Sequence, residues 1–367
     1  MKKLKVIISG GGTGGHIFPA ISIANELKER VPDADILFVG ALGRMEMERV
    51  PAAGYSIEGL PVMGFPRKPS LKMFTFFVKL YKSLKKARTI IKEFDPDVAI
   101  GVGGYASGPV LKAAVRKGIP AILQEQNSYA GVTNKLLSSK VRKICVAYLE
   151  MEKYFPADKI VLTGNPIRKN LLEKVQNKAE AFEYFGLQAN QPVVLVVGGS
   201  LGARTLNESV FANLELIENS GVQIIWQTGK YYYNDIQEKL KMDKPENLKV
   251  MEFVSRMDLA YTIADVVISR AGAGTISELC LLGKPSVLVP SPNVAEDHQT
   301  KNAMALVKNN AAVMIKDFDA KEQLWLQTFS LIKDEIKLKD LEENILKLAK
   351  PNAAKEIVDV VLNEIKS

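Results

Sequence analysis

Two glycine-rich turns, one in each half of the chain, follow an apolar strand-like run and open a helix-like one. The first reads Gly10-Gly11-Gly12-Thr13-Gly14-Gly15-His16 after Leu4–Ser9. The second reads Gly198-Gly199-Ser200-Leu201-Gly202-Ala203 after Pro192–Val197. A strand-to-helix turn of this kind bares backbone N–H groups where the helix dipole favours negative charge. One such turn per half predicts an α/β chain of two Rossmann-like domains, their parallel sheets facing a central cleft.

The intervening sequence fits that expectation. Short apolar runs alternate with amphipathic ones, the pattern of βαβ units. Val6–Ser9, Asp35–Gly40, Val98–Val102, Ala121–Gln124 and Lys143–Ala147 are predicted strands, and Ile17–Arg30 a helix with Pro19 near its first turn. After a turn-like connector at Thr163–Arg168 a second series follows: Val193–Val197, Gln223–Gln227, Leu248–Glu252, Val266–Ser269 and Ser286–Val289. The expected domains are 1–166 and 167–351. The closing segment 352–367, with Ile357, Val360, Val361 and Ile365 on one face, is expected to pack back on the first domain.

A net charge of +8 over 367 residues suits an anionic partner: a phosphate-bearing substrate, an anionic membrane surface or nucleic acid. RNA-binding signatures are absent, so no nucleic acid is expected. Cys145 and Cys280 lie in apolar segments and read as buried thiols in a reducing compartment. No leader-like segment and no 18-residue apolar run occurs, so membrane contact is expected to be peripheral. No His/Cys cluster has metal spacing, and neither metal nor cofactor is expected.

Gly10, Gly12 and Gly15 match the dinucleotide fingerprint literally, yet the predicted second strand ends Phe38-Val39-Gly40-Ala41 without the acid that would hold a ribose. An anion-contacting loop is the better reading, with a plain structural turn as the alternative. His16, one of two histidines, is a candidate general base. Gly198–Gly202 also matches the nucleophile elbow G-x-S-x-G, with Asp265 and His298 downstream, so a serine hydrolase using Ser200 is the rival from another reaction class. Ser269–Glu278 is a further strand-end loop opening a helix; Glu278, expected in the first turn, reads either as a capping carboxylate or as a ribose ligand. Phe65–Phe94 is the densest basic run. Its apolar residues make two stripes (Met73, Phe77, Leu80, Leu84 and Phe74, Val78, Tyr81), more than one core-facing stripe needs. That pattern fits either an anionic bilayer surface or a packed helix with a solvated basic face.

These motifs, together with Gly103-Gly104-Tyr105, Gln124-Glu125-Gln126-Asn127, Gly164–Arg168 and Asp297-His298-Gln299, resemble the MurG family of N-acetylglucosaminyltransferases across essentially the whole chain. The resemblance implies the GT-B fold and inverting transfer of N-acetylglucosamine from UDP-GlcNAc to lipid I. It implies partners, too: UDP-GlcNAc, polyprenyl-linked lipid I, an anionic membrane surface and other cell-wall synthesis proteins, at the cytoplasmic face of the bacterial inner membrane. Donor contacts would come from Thr13, Gly14, Gly15, Asn127, Arg168, Ser200, Val254, Ala273, Gly274, Thr275, Glu278, His298 and Gln299. Gly12, Gly103, Gly104 and Tyr105 would meet the acceptor pyrophosphate. His16 is the first candidate for the base and Glu125 the second. Phe74, Phe77, Tyr81, Lys72, Lys79 and Lys82 would dock on the membrane. Some members carry Gln-Gln where this chain has His298-Gln299. The remaining alternatives are a UDP-GlcNAc 2-epimerase of the same fold and a non-catalytic UDP-sugar binder.

Overall fold

The computed structural model describes residues 3–64, 71–167, 171, 177–241 and 244–366, the side chains of 71, 72, 295 and 366 excepted. The chain divides into two compact units, Met1–Arg168 with Asn352–Ser367, and Lys169–Pro351.

The first unit is built on seven parallel strands: β1 (Lys5–Ser9), β2 (Asp35–Ala41), β3 (Ser56–Leu60), β4 (Val98–Gly101), β5 (Ala121–Glu125), β6 (Lys143–Val146) and β7 (Ile160–Leu162). Their spatial order is β3-β2-β1-β4-β5-β6-β7. β1 alternates across two cores, Val6 and Ile8 into one and Ile7 into the other. A sheet covered on both faces needs apolar residues at every position of its central strands, which is why Val6–Ile8 is continuously apolar. The helix Ala353–Lys366 packs on the helix Gly14–Arg30. Ile357, Val358 and Val361 join Ile17, Ile23 and Leu27 in one cluster, and Arg30 pairs with Asp359.

The second unit repeats the scheme with six parallel strands, β8 (Val193–Val197), β9 (Gln223–Gln227), β10 (Leu248–Met251), β11 (Val266–Ser269), β12 (Ser286–Leu288) and β13 (Val313–Met314), in the order β10-β9-β8-β11-β12-β13. Val194 and Val196 face one core, Val193 and Leu195 the other.

In both sheets the strand order reverses beside the first strand, between β1 and β4 and between β8 and β11. Ligands of open α/β sheets bind outside the carboxyl ends of the strands at such a switch point. Every glycine-rich turn singled out above leaves one of these four strands.

The three strands absent from the sequence reading, β3, β7 and β13, lie toward or at the sheet edges. β7 and β13 are short and only partly buried, so their apolar signal is weak. The first helix starts three residues earlier than expected, at Gly14, with Thr13 as its extended N-cap. Two glycines in a first turn hide a helix start from propensity.

Candidate functional site

In the first unit, the turn after β1 and the turn after β4 touch. A Cβ on Gly104, whose φ is +83°, would lie 2.3 Å from the carbonyl oxygen of Gly11, so only glycine fits there. Ser107 fastens the same junction from within: its buried hydroxyl bridges the carbonyls of Ser9 (2.9 Å) and Gly103 (2.8 Å). Tyr105 is exposed beside it. Thr13 makes no side-chain cap, and the amides of Gly14 and Gly15 lie in the first helical turn, before intrahelical acceptors exist.

His16 is held above these turns. Its Nδ1 lies 3.1 Å from the Gly11 carbonyl oxygen and 3.1 Å from Thr13 Oγ1. A carbonyl only accepts, so the contact with Gly11 is a hydrogen bond in the tautomer with the proton on Nδ1, which leaves Nε2 as the basic nitrogen. Nε2 faces Gly103, where a Cβ would come within 2.9 Å of it. Gly12, expected at a pyrophosphate, instead donates its N–H to both carboxylate oxygens of Glu46 (3.1 and 3.0 Å).

Glu125 ends β5 and is 2% exposed. One oxygen accepts from the N–H (3.1 Å) and Nδ2 (3.3 Å) of Asn127. The other accepts from the Gly131 N–H (3.0 Å) and Asn134 Nδ2 (2.8 Å). Burial raises its pKa, against the pull of these four donors. With two donors on each oxygen, its geometry is that of a residue shaping the 127–131 turn.

In the second unit the turn after β8 is pinned to the turn after β9. The Gly202 and Gly229 backbones pass so closely that a Cβ on Gly229 (φ +81°) would lie 2.0 Å from the Gly202 nitrogen. Gln227 Nε2 donates to the Gly199 carbonyl, and the Lys230 N–H to that of Ser200, both at 3.1 Å. Ser200 itself is exposed. After β11, Gly272 caps the helix Ala273–Leu282 without a side-chain hydrogen bond. The N–H groups of Ala273, Gly274 and Thr275 therefore open the helix as an anion-ready terminus.

Glu278 is a correction to the sequence reading. It lies in the second turn of that helix, and no acidic residue occupies the first. A carboxylate there is poorly placed to cap the helix dipole, whose effect fades beyond the first turn. Tyr261 Oη donates to Glu278 at 3.2 Å. Val254 is buried, and its N–H is taken by Gln227 Oε1 at 2.9 Å. The Gln299 carboxamide oxygen accepts the Ser291 N–H at 2.8 Å, which turns its NH2 into the available donor. His298 opens the helix His298–Val307.

The hydrolase constellation is not assembled. Asp265 accepts the Val193 N–H at 2.8 Å, at the amino end of β8, whereas Ser200 follows its carboxyl end. The five-residue strand puts roughly 16 Å between them. Both cysteines are free and buried, and desolvation pushes each thiol up to about 12, as inert core residues.

Arg168 lies outside the described residues, as do residues 65–70 and the Lys72 side chain. On the described helix Leu71–Phe94, Ser83, Ala87, Ile90 and Ile91 turn inward, while Phe74 (75%), Tyr81 (70%) and Phe77 (57%) are exposed. Lys82 is also exposed and Lys79 half-buried. Among the described residues no helix is long and apolar enough to cross a membrane.

Three residues framing these groups carried no sequence motif: Glu46, Tyr261 and Ser291. Each acts through a partner distant in sequence or on a neighbouring turn, which leaves no local signature.

The glycosyltransferase family 28 N-terminal domain matches residues 6–146, and the family 28 C-terminal domain matches 193–358. A UDP-N-acetylglucosamine--N-acetylmuramyl-(pentapeptide) pyrophosphoryl-undecaprenol N-acetylglucosamine transferase of Parabacteroides distasonis is 59% identical over 365 residues, covering 100% of this chain and 99% of the relative. The crystal structure of Acinetobacter baumannii MurG superposes with a TM-score of 0.78 at 30% identity, over 98% of this chain and 99% of that one. A Neisseria meningitidis UDP-GlcNAc 2-epimerase, 16% identical with a TM-score of 0.69 over 99% of this chain and 100% of that one, shares the fold alone. Alike along its whole length in sequence and in fold, the chain belongs to the MurG family of glycosyltransferases, within family 28.

Proposed function

We infer that this chain transfers N-acetylglucosamine from UDP-GlcNAc to the muramyl 4-hydroxyl of lipid I, giving lipid II for peptidoglycan. The observation that carries this is the 59% identity, end to end, with a relative named for that transfer. Anion-ready turns at the switch points of both sheets agree with it, since donor and acceptor each carry a diphosphate.

The second unit holds the donor. Ser200 and the amides of Ala273, Gly274 and Thr275 receive the diphosphate; Arg168, the residue that ends the first unit's main segment, is assigned as its cationic partner. Glu278 accepts from the ribose hydroxyls, Val254 borders the uracil, and Gln299, beside His298, donates to the sugar. In the first unit Thr13, Gly14, Gly15 and Asn127 add to the donor contacts, and Gly103, Gly104 and Tyr105 meet the acceptor pyrophosphate.

The reaction is a single inverting displacement. His16 Nε2 takes the proton as the 4-hydroxyl oxygen attacks C1, and UDP leaves through an oxocarbenium-like transition state. Charge growing on UDP is met by dipoles already in place at the helix starts, which need no reorganisation. Glu125 is assigned to holding the 127–131 turn, leaving His16 as the base.

Transfer of radiolabelled GlcNAc from UDP-GlcNAc to a lipid I analogue tests the assignment. Bound donor with no transfer would favour the epimerase or binder reading. Glu278→Gln is expected to weaken UDP-GlcNAc binding by calorimetry about 10- to 100-fold, the worth of a hydrogen bond to a charged group. An unchanged affinity would remove Glu278 from the ribose site.

The exposed aromatic face of the helix Leu71–Phe94 supports peripheral docking on an anionic bilayer, at the cytoplasmic face where UDP-GlcNAc is found. Phe74, Phe77 and Tyr81 supply the apolar contact; Lys72, Lys79 and Lys82 supply charge. Replacing the three aromatics by serine is expected to weaken vesicle binding by roughly 10- to 100-fold, from the apolar area left in water. Transfer to a short-chain soluble acceptor should be spared. Equal loss of both activities would mean fold damage instead.

A further inference from the structure

The β2 strand ends without the carboxylate a dinucleotide site would need, yet a carboxylate arrives five residues later and turns inward. Glu46 is 1% exposed. Its oxygens accept the Ala41 N–H at 2.9 Å and the Gly12 N–H at 3.1 and 3.0 Å. Two glycines make room for it: a Cβ on Gly11 (φ +144°) would lie 2.1 Å from Glu46 Oε1, and one on Gly40 would lie 2.5 Å from Glu46 Cγ. A buried carboxylate taken out of water is costly unless it meets donors of this kind.

The Gly12 N–H and the Gly11 carbonyl belong to one peptide group. On its nitrogen side that peptide donates to Glu46. On its oxygen side it lies 3.1 Å from His16 Nδ1. The order is carboxylate, peptide, imidazole. Hydrogen bonds in a chain polarise one another, so a negative charge on the N–H side makes the carbonyl a stronger acceptor. A stronger acceptor holds the imidazole proton on Nδ1 and the lone pair on Nε2.

We propose that Glu46 is the positioning residue of His16, acting through the Gly11–Gly12 peptide to fix the imidazole ring and its tautomer for proton abstraction by Nε2. It is the arrangement of an acid behind a histidine, with a peptide group inserted between them. The role in transfer rests on His16 being the base; the effect on the tautomer does not.

The test is 15N NMR of the full chain labelled at the histidine ring nitrogens, where His16 and His298 are the only two imidazoles and His298→Gln assigns them. Neutral His16 in the wild type is expected to carry its proton on Nδ1. In Glu46→Gln the NH2 faces backbone N–H donors and the charge is gone, so the population should move toward the Nε2–H form. By analogy with the partners that orient metal-bound histidines, whose removal costs about 10- to 100-fold, kcat should fall by about that much while KM for UDP-GlcNAc holds. Glu46→Asp, which withdraws the carboxylate, should move both readouts the same way. A wild-type Nε2–H tautomer overturns the proposal, and needs no variant to fold. So does a Glu46→Gln protein whose melting temperature drops while tautomer and kcat stay put, the result for a merely structural carboxylate. If instead His16→Ala retains transfer, the base assignment fails, while a Glu46-dependent tautomer still upholds the positioning.

Discussion

His16→Ala is expected to reduce kcat for GlcNAc transfer about 100- to 10,000-fold, the range of a lost general acid–base group. UDP-GlcNAc affinity should change far less, because the residues assigned to the uracil, ribose and GlcNAc lie in the other unit and the substitution leaves the first-unit donor contacts assigned to Thr13, Gly14, Gly15 and Asn127 in place. A loss confined to kcat removes an interaction made in the transition state, whereas a rise in KM alone would recast His16 as a binding group. The structural grounds are specific. Nδ1 is committed to the Gly11 carbonyl, so Nε2 is the nitrogen able to accept a proton, and it lies next to the glycine turn assigned to the acceptor. His16→Gln, which retains hydrogen-bonding capacity without a titrating nitrogen, should be nearly as damaged as alanine. Wild-type turnover in either variant would exclude His16 as the base.

The second large effect is on stability. Trp226 in β9 is fully buried against Val194, Val196, Leu206 and Val210. Its Nε1–H donates to Asn207 Oδ1 at 3.0 Å, and Asn207 Nδ2 donates to the Thr228 carbonyl at 2.9 Å. The indole thus ties the helix Arg204–Ala212, which the second glycine turn opens, to the turn carrying Gly229. Trp226→Ala is expected to destabilise this unit by about 3–5 kcal/mol from lost packing. Asn207 Oδ1, left buried without its donor, adds about 1–3 kcal/mol. Trp226→Phe keeps most of the packing and separates the second contribution. Urea denaturation followed by circular dichroism measures both, and saturating UDP-GlcNAc should recover part of the loss by binding the folded form alone. A loss under about 1 kcal/mol in the alanine variant would mean that the cluster collapses around the gap, contrary to the packing described.

Much of the architecture was legible without coordinates. The central strands are buried on both faces, so Val6–Ile8 and Val193–Val197 had to be uninterrupted apolar runs, and Gly-rich turns after them marked their carboxyl ends. Edge strands were harder to read: Val313–Met314 is two residues long and partly exposed. The position of Glu278 was misread because Gly272 and Ala273, which start the helix, look like loop. Candidate groups were legible wherever a motif is local. They were invisible where one residue acts on another across the fold, as Ser291 does on Gln299, or Tyr261 on Glu278.

Sequence alone determined that this chain has two α/β halves, that each carries an anion-ready turn, and that it resembles one family of glycosyltransferases. Periodicity and turn chemistry are written into neighbouring residues, so they survive without a fold. Only tertiary structure decided which of several plausible groups is equipped for which task. It set Asp265 at the far end of β8 from Ser200, closed four donors around Glu125, and turned Glu46 onto the peptide that holds His16. Those outcomes depend on distances of a few ångströms between residues remote in the chain, and hydrogen-bond direction and burial exist only once the strands have packed.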